Sequence, residues 1–259
     1  MQQALIIGLV VAVICATLSC YLVLKGWSLM GDAISHAVLP GIVLAYMLSI
    51  PLAIGAFFSG VFCTIAVGYL KTNSRIKEDT VMGIVFSGMF AIGLVMFTKV
   101  ESNQHLMHIL FGDLLGITAH EFYQSLIISA FVFLVIVLKR RDFLLYCFDT
   151  MHARTVGLNT TFLHYSLLVL LALVIISAMQ VVGVILVVAM LITPGITGYI
   201  LTKRFERMML IAILTSVNSV FWGIFLSFHF DAATGPFIVL IQAVVFLTAL
   251  AVVQLRLHK

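Results

Sequence analysis

Charge is what this 259-residue chain has least of: Asp, Glu, Lys and Arg together make up 9% of it, against 63% hydrophobic residues, and its mean hydropathy is +1.23. A soluble domain carries about 25% charged residues, so an ordinary globular fold is excluded and a polytopic membrane protein remains. Cysteine is also sparse. The four positions, Cys15, Cys20, Cys63 and Cys147, show no CxxC spacing, which leaves neither a disulfide framework nor a thiolate metal site. There is no GxxxxGK[ST] run, so the chain does not itself hydrolyse ATP. His120-Glu121-Phe122-Tyr123-Gln124 lacks the second histidine of HExxH, which removes the zinc site of an intramembrane protease.

Apolar length is what the chain has in abundance, enough for eight or nine crossings at about 20 residues each and for no additional soluble domain. The fold class expected is an all-α transmembrane helical bundle forming one domain over 1–259. Cutting at the charge clusters gives spans at 4–24, 28–49, 52–70, 81–98, 122–138, 162–179, 182–202, 208–227 and 237–255. The first lacks a basic leader and a small-residue cleavage site, and it reads as a retained span rather than a removable signal. With the N-terminus outside, every one of the 14 basic residues except Lys99 falls on the inner side, which orients the chain with a cytosolic C-terminus. Gln180 to Gly183 leaves little room for a turn, so one of the two helices there could cross incompletely. Pro194-Gly195 admits either a broken helix or an ordinary kink. No inverted repeat is visible.

The most informative polar residues are Asp32 and His36 in Gly31-Asp32-Ala33-Ile34-Ser35-His36. Four residues apart on a helix, they share a face with Cβ atoms about 5–6 Å apart, within reach of one cation. An ionisable group in a span is costly and needs a reason. Lys25 marks the cytosolic edge, so Asp32 and His36 are expected about 10 and 16 Å further along the helix axis, near mid-membrane. Small neighbours (Gly31, Ala33, Ser35, Ala37) would admit a second helix closely. Taken alone, the pair fits a metal site, an intrahelical hydrogen bond or a proton relay.

Two polar regions flank the spans. Tyr146 to Asn159 follows Lys139-Arg140-Arg141 and is too polar to cross, which places it in the cytosol. Asp149, Ala153 and Gly157 are spaced four apart, as one helical stripe whose small members leave a shallow surface for another protein, or as part of a plain solvated connector. On the outer side Lys99 to Glu121 carries Glu101, His105, His108, Asp113, His120 and Glu121, with His229 and Asp231 further on. That face could receive a metal-delivering protein, funnel cations, or simply be solvated, and Leu106 to Leu115 reads as a short interfacial helix.

GDAISHAVLPG after a first span, GVILVVAMLITPG late in the chain, and the run from Asp149 to Gly157 together resemble the permease subunit of ATP-binding-cassette importers for manganese, zinc and iron, over essentially the whole chain. That resemblance implies a second permease copy or paralogue, cytosolic ATP-binding subunits and an extracytoplasmic metal-binding protein, in a bacterial cytoplasmic membrane. It further implies that Asp32 and His36 contact the transported cation, and that 146–159 is a coupling segment whose Asp149, Ala153 and Gly157 seat on the ATPase. No permanently bound cofactor is implied. One chain supplies only two ligands, so a two-fold dimer would complete the site with two carboxylates and two imidazoles. An oxygen and nitrogen set suits Mn²⁺, Fe²⁺ or Zn²⁺, with manganese first by resemblance. Histidine must be neutral to ligate, so uptake should weaken as pH falls through the histidine range. A proton-coupled secondary transporter, in which the same pair carries protons, is the rival reading.

Overall fold

The computed structural model describes residues 2–27, 29–75, 78–98, 118–230 and 232–257, and among these every regular element is an α-helix. In lipid each backbone N–H and C=O must be satisfied within its own segment, which is why apolar runs of this length become helices. Nine stretches among the described residues are long and apolar enough to cross a membrane. They follow the expected spans in order. The outer segment 99–117, with its expected interfacial helix, lies outside the described residues, as does Asp231.

The chain divides into two compact units. The first comprises Met1–Ser28, His108–Leu138 and Ala178–Lys259. Its centre is α1 (Gln2–Lys25), hydrophobic on every side and buried along most of its length from Ile7 to Leu22. Against it pack α6 (Ala119–Leu138), α10 (Val184–Leu201) and α11 (Phe205–Phe230), while α12 (Thr234–Leu257) packs on α10 and α11. The outward faces of α6 and α12 show Phe131, Leu134, Leu240 and Leu247, apolar surface suited to lipid.

Pro194 lies inside α10, which runs unbroken from Val184 to Leu201, so the Pro194-Gly195 step does not end the helix. Proline cannot donate, and the adjoining turn is completed from α1: the Ser19 hydroxyl donates to the Ile192 carbonyl at 3.3 Å and accepts the Gly195 N–H at 2.9 Å. Gly195 is required there because a Cβ would lie 2.7 Å from the Ser19 carbonyl group. Removing the Ser19 hydroxyl strands a buried N–H, so Ser19→Ala should cost about 1–3 kcal/mol. A lowered unfolding temperature of the detergent-purified protein is the measurement, with wild-type stability counting against this role. Gly183, at φ +81° and ψ 163°, alone separates α9 (Thr160–Val182) from α10. Both helices are nevertheless long enough to span, at 23 and 18 residues.

The second unit comprises Leu29–Met107 and Lys139–Ser177. It contains α2 (Met30–Ala37), α3 (Leu39–Met47), α4 (Leu52–Asn73), α5 (Glu78–Phe97), α7 (Arg140–Phe148), α8 (Thr150–Thr155) and the first part of α9. The expected span 28–49 is thus two short helices. Pro40 is the physical cause: it has no N–H and its ring crowds the carbonyl four residues back, so α2 stops at Ala37. The Ala37 carbonyl instead accepts the Ser59 hydroxyl of α4 at 2.7 Å.

Glycine brings these helices together. The backbones of Gly41 on α3 and Gly55 on α4 are in direct contact, and a Cβ at either would fall on the carbonyl of the other; at Gly93 on α5 it would stand 2.8 Å from the Pro40 nitrogen. Gly41→Val therefore has to push α3 off α4, an overpacking that costs about 3 kcal/mol. Loss of monodisperse protein on size exclusion would show it, and normal yield and thermal stability would refute the contact.

Candidate metal-translocation site

Of the eight residues of α2, six are buried and two are not: Asp32 and His36. Their side chains are 40% and 34% exposed, and His36 Nε2 stands 3.3 Å from Asp32 Oδ1. The helix therefore turns its small and apolar residues inward and presents the carboxylate and imidazole side by side on one open face, as the four-residue spacing requires. Ser35 is buried, and its hydroxyl donates to the Asp32 backbone carbonyl at 2.8 Å.

The position along the axis differs from expectation. α1 ends at Lys25, Gly26 turns the chain at φ +75°, and a new helix starts only at Met30. Counted from that start, Asp32 and His36 lie about 3 and 9 Å along the axis rather than 10 and 16 Å. The pair thus belongs to the first two turns of its span.

Two rings from α5 meet the imidazole. Phe86 lies 6.2 Å from it, centroid to centroid, at 30°, and Phe90 lies 5.3 Å away at 78°, nearly edge-on. Among the described residues no group of three or more His, Cys, Asp and Glu side chains gathers, and Asp32 and His36 are the pair brought together here. An acceptor pair of carboxylate oxygen and imidazole nitrogen with open positions can hold a divalent first-row cation that keeps other ligands from water or another chain.

The segment 146–159 has a different geometry from the stripe expected of it. Its helix covers only Thr150–Thr155, and the three spaced residues play three separate roles. Asp149 is the N-cap, extended at φ −146°, and its carboxylate accepts the N–H groups of Met151 at 2.8 Å and His152 at 3.0 Å. Ala153 is fully buried, so it faces no partner. Gly157 ends the helix in the left-handed region at φ +87°, with its N–H on the Arg154 carbonyl at 3.0 Å and the Leu158 N–H on the Ala153 carbonyl at 3.0 Å. Small residues here start and stop a helix. The surface that remains is apolar instead: Phe148, Met151 and Val156 are 64%, 70% and 60% exposed.

The His152 N–H, with the Met151 N–H behind it, holds the Asp149 carboxyl below its ordinary range. A depressed folded pKa means that the cap's contribution is present above the unfolded value and fades as pH drops through the folded one. Acidification below the usual carboxylate range should therefore fray residues 150–155. Asp149→Asn, also a good cap, should remove that pH dependence. Hydrogen exchange of the Met151 and His152 amides is the measurement, and equal acid sensitivity in both proteins would count against the cap.

This connector is fixed to α9 at two points. Tyr146 Oη and His164 Nδ1 are 2.9 Å apart, and Arg154 Nε donates to Thr160 Oγ1 at 3.0 Å. Burial, and then the neighbouring Cys147, push the Tyr146 phenol up.

On the opposite loops, Glu121 is a helix cap. Its carboxylate accepts the Thr118 N–H at 3.0 Å and the Thr118 hydroxyl at 2.8 Å, and the Thr118 hydroxyl oxygen accepts the Glu121 N–H at 3.3 Å. The Thr118-x-x-Glu121 spacing carries that signal. His120 and His229 are exposed, whereas Glu101, His105, His108 and Asp113 lie outside the described residues. Sequence spacing gave no sign of Ser19, Ser59, Phe86 or Phe90, since each matters through a partner on another helix.

Among the described residues, helices throughout and nine potential spans define a polytopic membrane protein. Residues 1–253 match the model of the ABC 3 transport family, and the chain belongs to that family. It is 66% identical over 258 residues to a protein of Haemophilus influenzae described as a probable iron transport system membrane protein, covering 100% of this chain and 95% of that one. The manganese transport system membrane protein MntB of Synechocystis is 52% identical over 248 residues, covering 96% of this chain and 81% of its own. Among solved structures, PsaBC from Streptococcus pneumoniae in complex with Fab superposes with a TM-score of 0.86 at 39% identity, over 96% of this chain and 90% of the other. The chain is thus a membrane permease of the metal-transporting ABC class, a transport subunit rather than an enzyme.

Proposed function

We propose that the chain is the permease of an ATP-driven importer that carries Fe²⁺ or Mn²⁺ inward, with Asp32 and His36 as the groups that grip the cation on its way. The observation that carries this reading is the half-buried pair itself, a 3.3 Å carboxylate–imidazole contact on the more open face of a short helix in a potential span. Two ligands do not enclose a divalent ion. A second permease copy related by a two-fold axis would bring a second pair opposite the first, and spreading the two pairs would release the ion. Iron stands first because the more similar relative is described as an iron transporter, and manganese second, since carboxylate with imidazole serves both. The N-terminus is placed outside and the C-terminus in the cytosol, on the distribution of Lys and Arg.

The partners follow from the same reading: two cytosolic ATP-binding subunits meeting the 146–159 segment, and an extracytoplasmic metal-binding protein on the opposite face. A proton-coupled secondary transporter needs no ATPase, and membership of an ABC family argues against it. Metal uptake into vesicles holding the assembled complex should stop on ATP depletion with the proton gradient maintained. Undiminished uptake under that condition would reverse the assignment. Competition between Fe²⁺, Mn²⁺ and Zn²⁺ at equal free concentration then ranks the cargo.

A further inference from the structure

We propose that Phe86 and Phe90 of α5 are positioning residues that fix the His36 imidazole beside Asp32 and thereby set the preference of the path for transition metals over Ca²⁺. This rests on the reading of Asp32 and His36 as cation ligands and concerns how their geometry is held. The two phenylalanines are four residues apart, so they occupy one face of α5, and that face meets the imidazole of α2. Phe90 is edge-on to the ring at 5.3 Å, within the range where aromatic pairs attract, and Phe86 lies more nearly parallel at 6.2 Å. Both rings meet the imidazole from α5, while His36 Nε2 stands 3.3 Å from Asp32 Oδ1.

A histidine side chain on an open helix face turns freely about two bonds, and only some rotamers keep a ring nitrogen within reach of a cation on the carboxylate. With the ring held, the site offers oxygen and nitrogen together. With the ring loose, it is in effect a carboxylate with water, a donor set that suits Ca²⁺ and Mg²⁺ as well as it suits Mn²⁺. Nitrogen supplies the discrimination, and the rings keep it in place. α2 is itself anchored one residue beyond His36, where Ser59 donates to the Ala37 carbonyl, so the backbone is fixed and the imidazole torsions are what remains to be set.

The experiment uses the assembled transporter in proteoliposomes, with Fe²⁺ under reducing conditions and Mn²⁺ as cargo and Ca²⁺ as competitor. Phe90→Ala should raise KM for Fe²⁺ about three- to ten-fold, with KM moving more than the maximal rate. The inhibition constant of Ca²⁺ should stay in place, so discrimination falls by the same factor. Phe86→Ala should shift it in the same direction, and Phe90→Tyr, which retains the ring, should restore it. Phe90→Leu keeps apolar bulk without a ring and should behave as Phe90→Ala does, even if the smaller residue impairs assembly. A fall in maximal rate with the Fe²⁺ to Ca²⁺ ratio unchanged, or equal shifts for both cations, overturns the proposal. His36→Ala in parallel separates the two levels: if it loses uptake while the phenylalanine variants keep their selectivity, only the positioning role fails. Full uptake by His36→Ala would remove the cation-ligand reading and this inference with it.

Discussion

Asp32→Ala and His36→Ala each lower ATP-driven metal uptake by about 100-fold or more, since even groups that merely support a metal ligand change affinity or activity by about 10–100-fold. The loss is expected with the complex intact. Both side chains are on the open face of α2, and the six residues that pack that helix are untouched by either change. Removing Asp32 takes away the negative charge that offsets the divalent ion, whereas removing His36 takes away the nitrogen that distinguishes transition metals. Asp32→Ala should therefore depress Fe²⁺ and Mn²⁺ alike, and His36→Ala should depress Fe²⁺ more than Mn²⁺, in keeping with their order of affinity for nitrogen ligands. Flux of both ions into proteoliposomes, beside the stoichiometry of the purified complex, checks both parts. Uptake near the wild-type rate in either variant takes that residue out of the path.

How much of this could be read beforehand depends on the range of the interaction. Span count and order follow from hydropathy, because every helix in lipid satisfies its own backbone whatever it packs against. The Asp32 and His36 pairing follows from helical spacing, and 3.3 Å is what that spacing allows. Pro40 could have signalled the split of the second span, since proline commonly ends the helix before it. The three residues Asp149, Ala153 and Gly157 do not lie along one continuous helix, for a similar reason. Asp before a short polar run is a cap, and glycine after one is a stop, so those residues end the helix rather than decorate it. Ser19 on Gly195, Ser59 on Ala37 and the phenylalanines on His36 link residues far apart in sequence, and no local pattern announces them.

Phe148→Asp with Met151→Asp should abolish metal-stimulated ATP hydrolysis and release the ATP-binding subunits, leaving the permease folded. Both residues sit in the polar stretch between two potential spans, where no lipid would cover them, and both are largely exposed, as is Val156. On the proposed docking of the ATP-binding subunits to 146–159, these exposed apolar side chains are the anchors. Truncating an apolar anchor at the centre of an interface typically costs about 2–4 kcal/mol, and a buried carboxylate costs more, so two aspartates should weaken association by at least about 1,000-fold. Movement of a partner seated here would reach the membrane helices directly, because Tyr146 to His164 and Arg154 to Thr160 tie the segment to α9. His164→Phe removes the first tie without touching the exposed surface. It should leave the ATP-binding subunits attached but lower the metal carried per ATP hydrolysed. Co-elution of the subunits, ATPase activity with and without metal, and flux per ATP distinguish the two variants. Intact stimulation in the double aspartate variant would place the docking surface elsewhere, and unchanged flux per ATP in His164→Phe would show that force reaches the helices by another route.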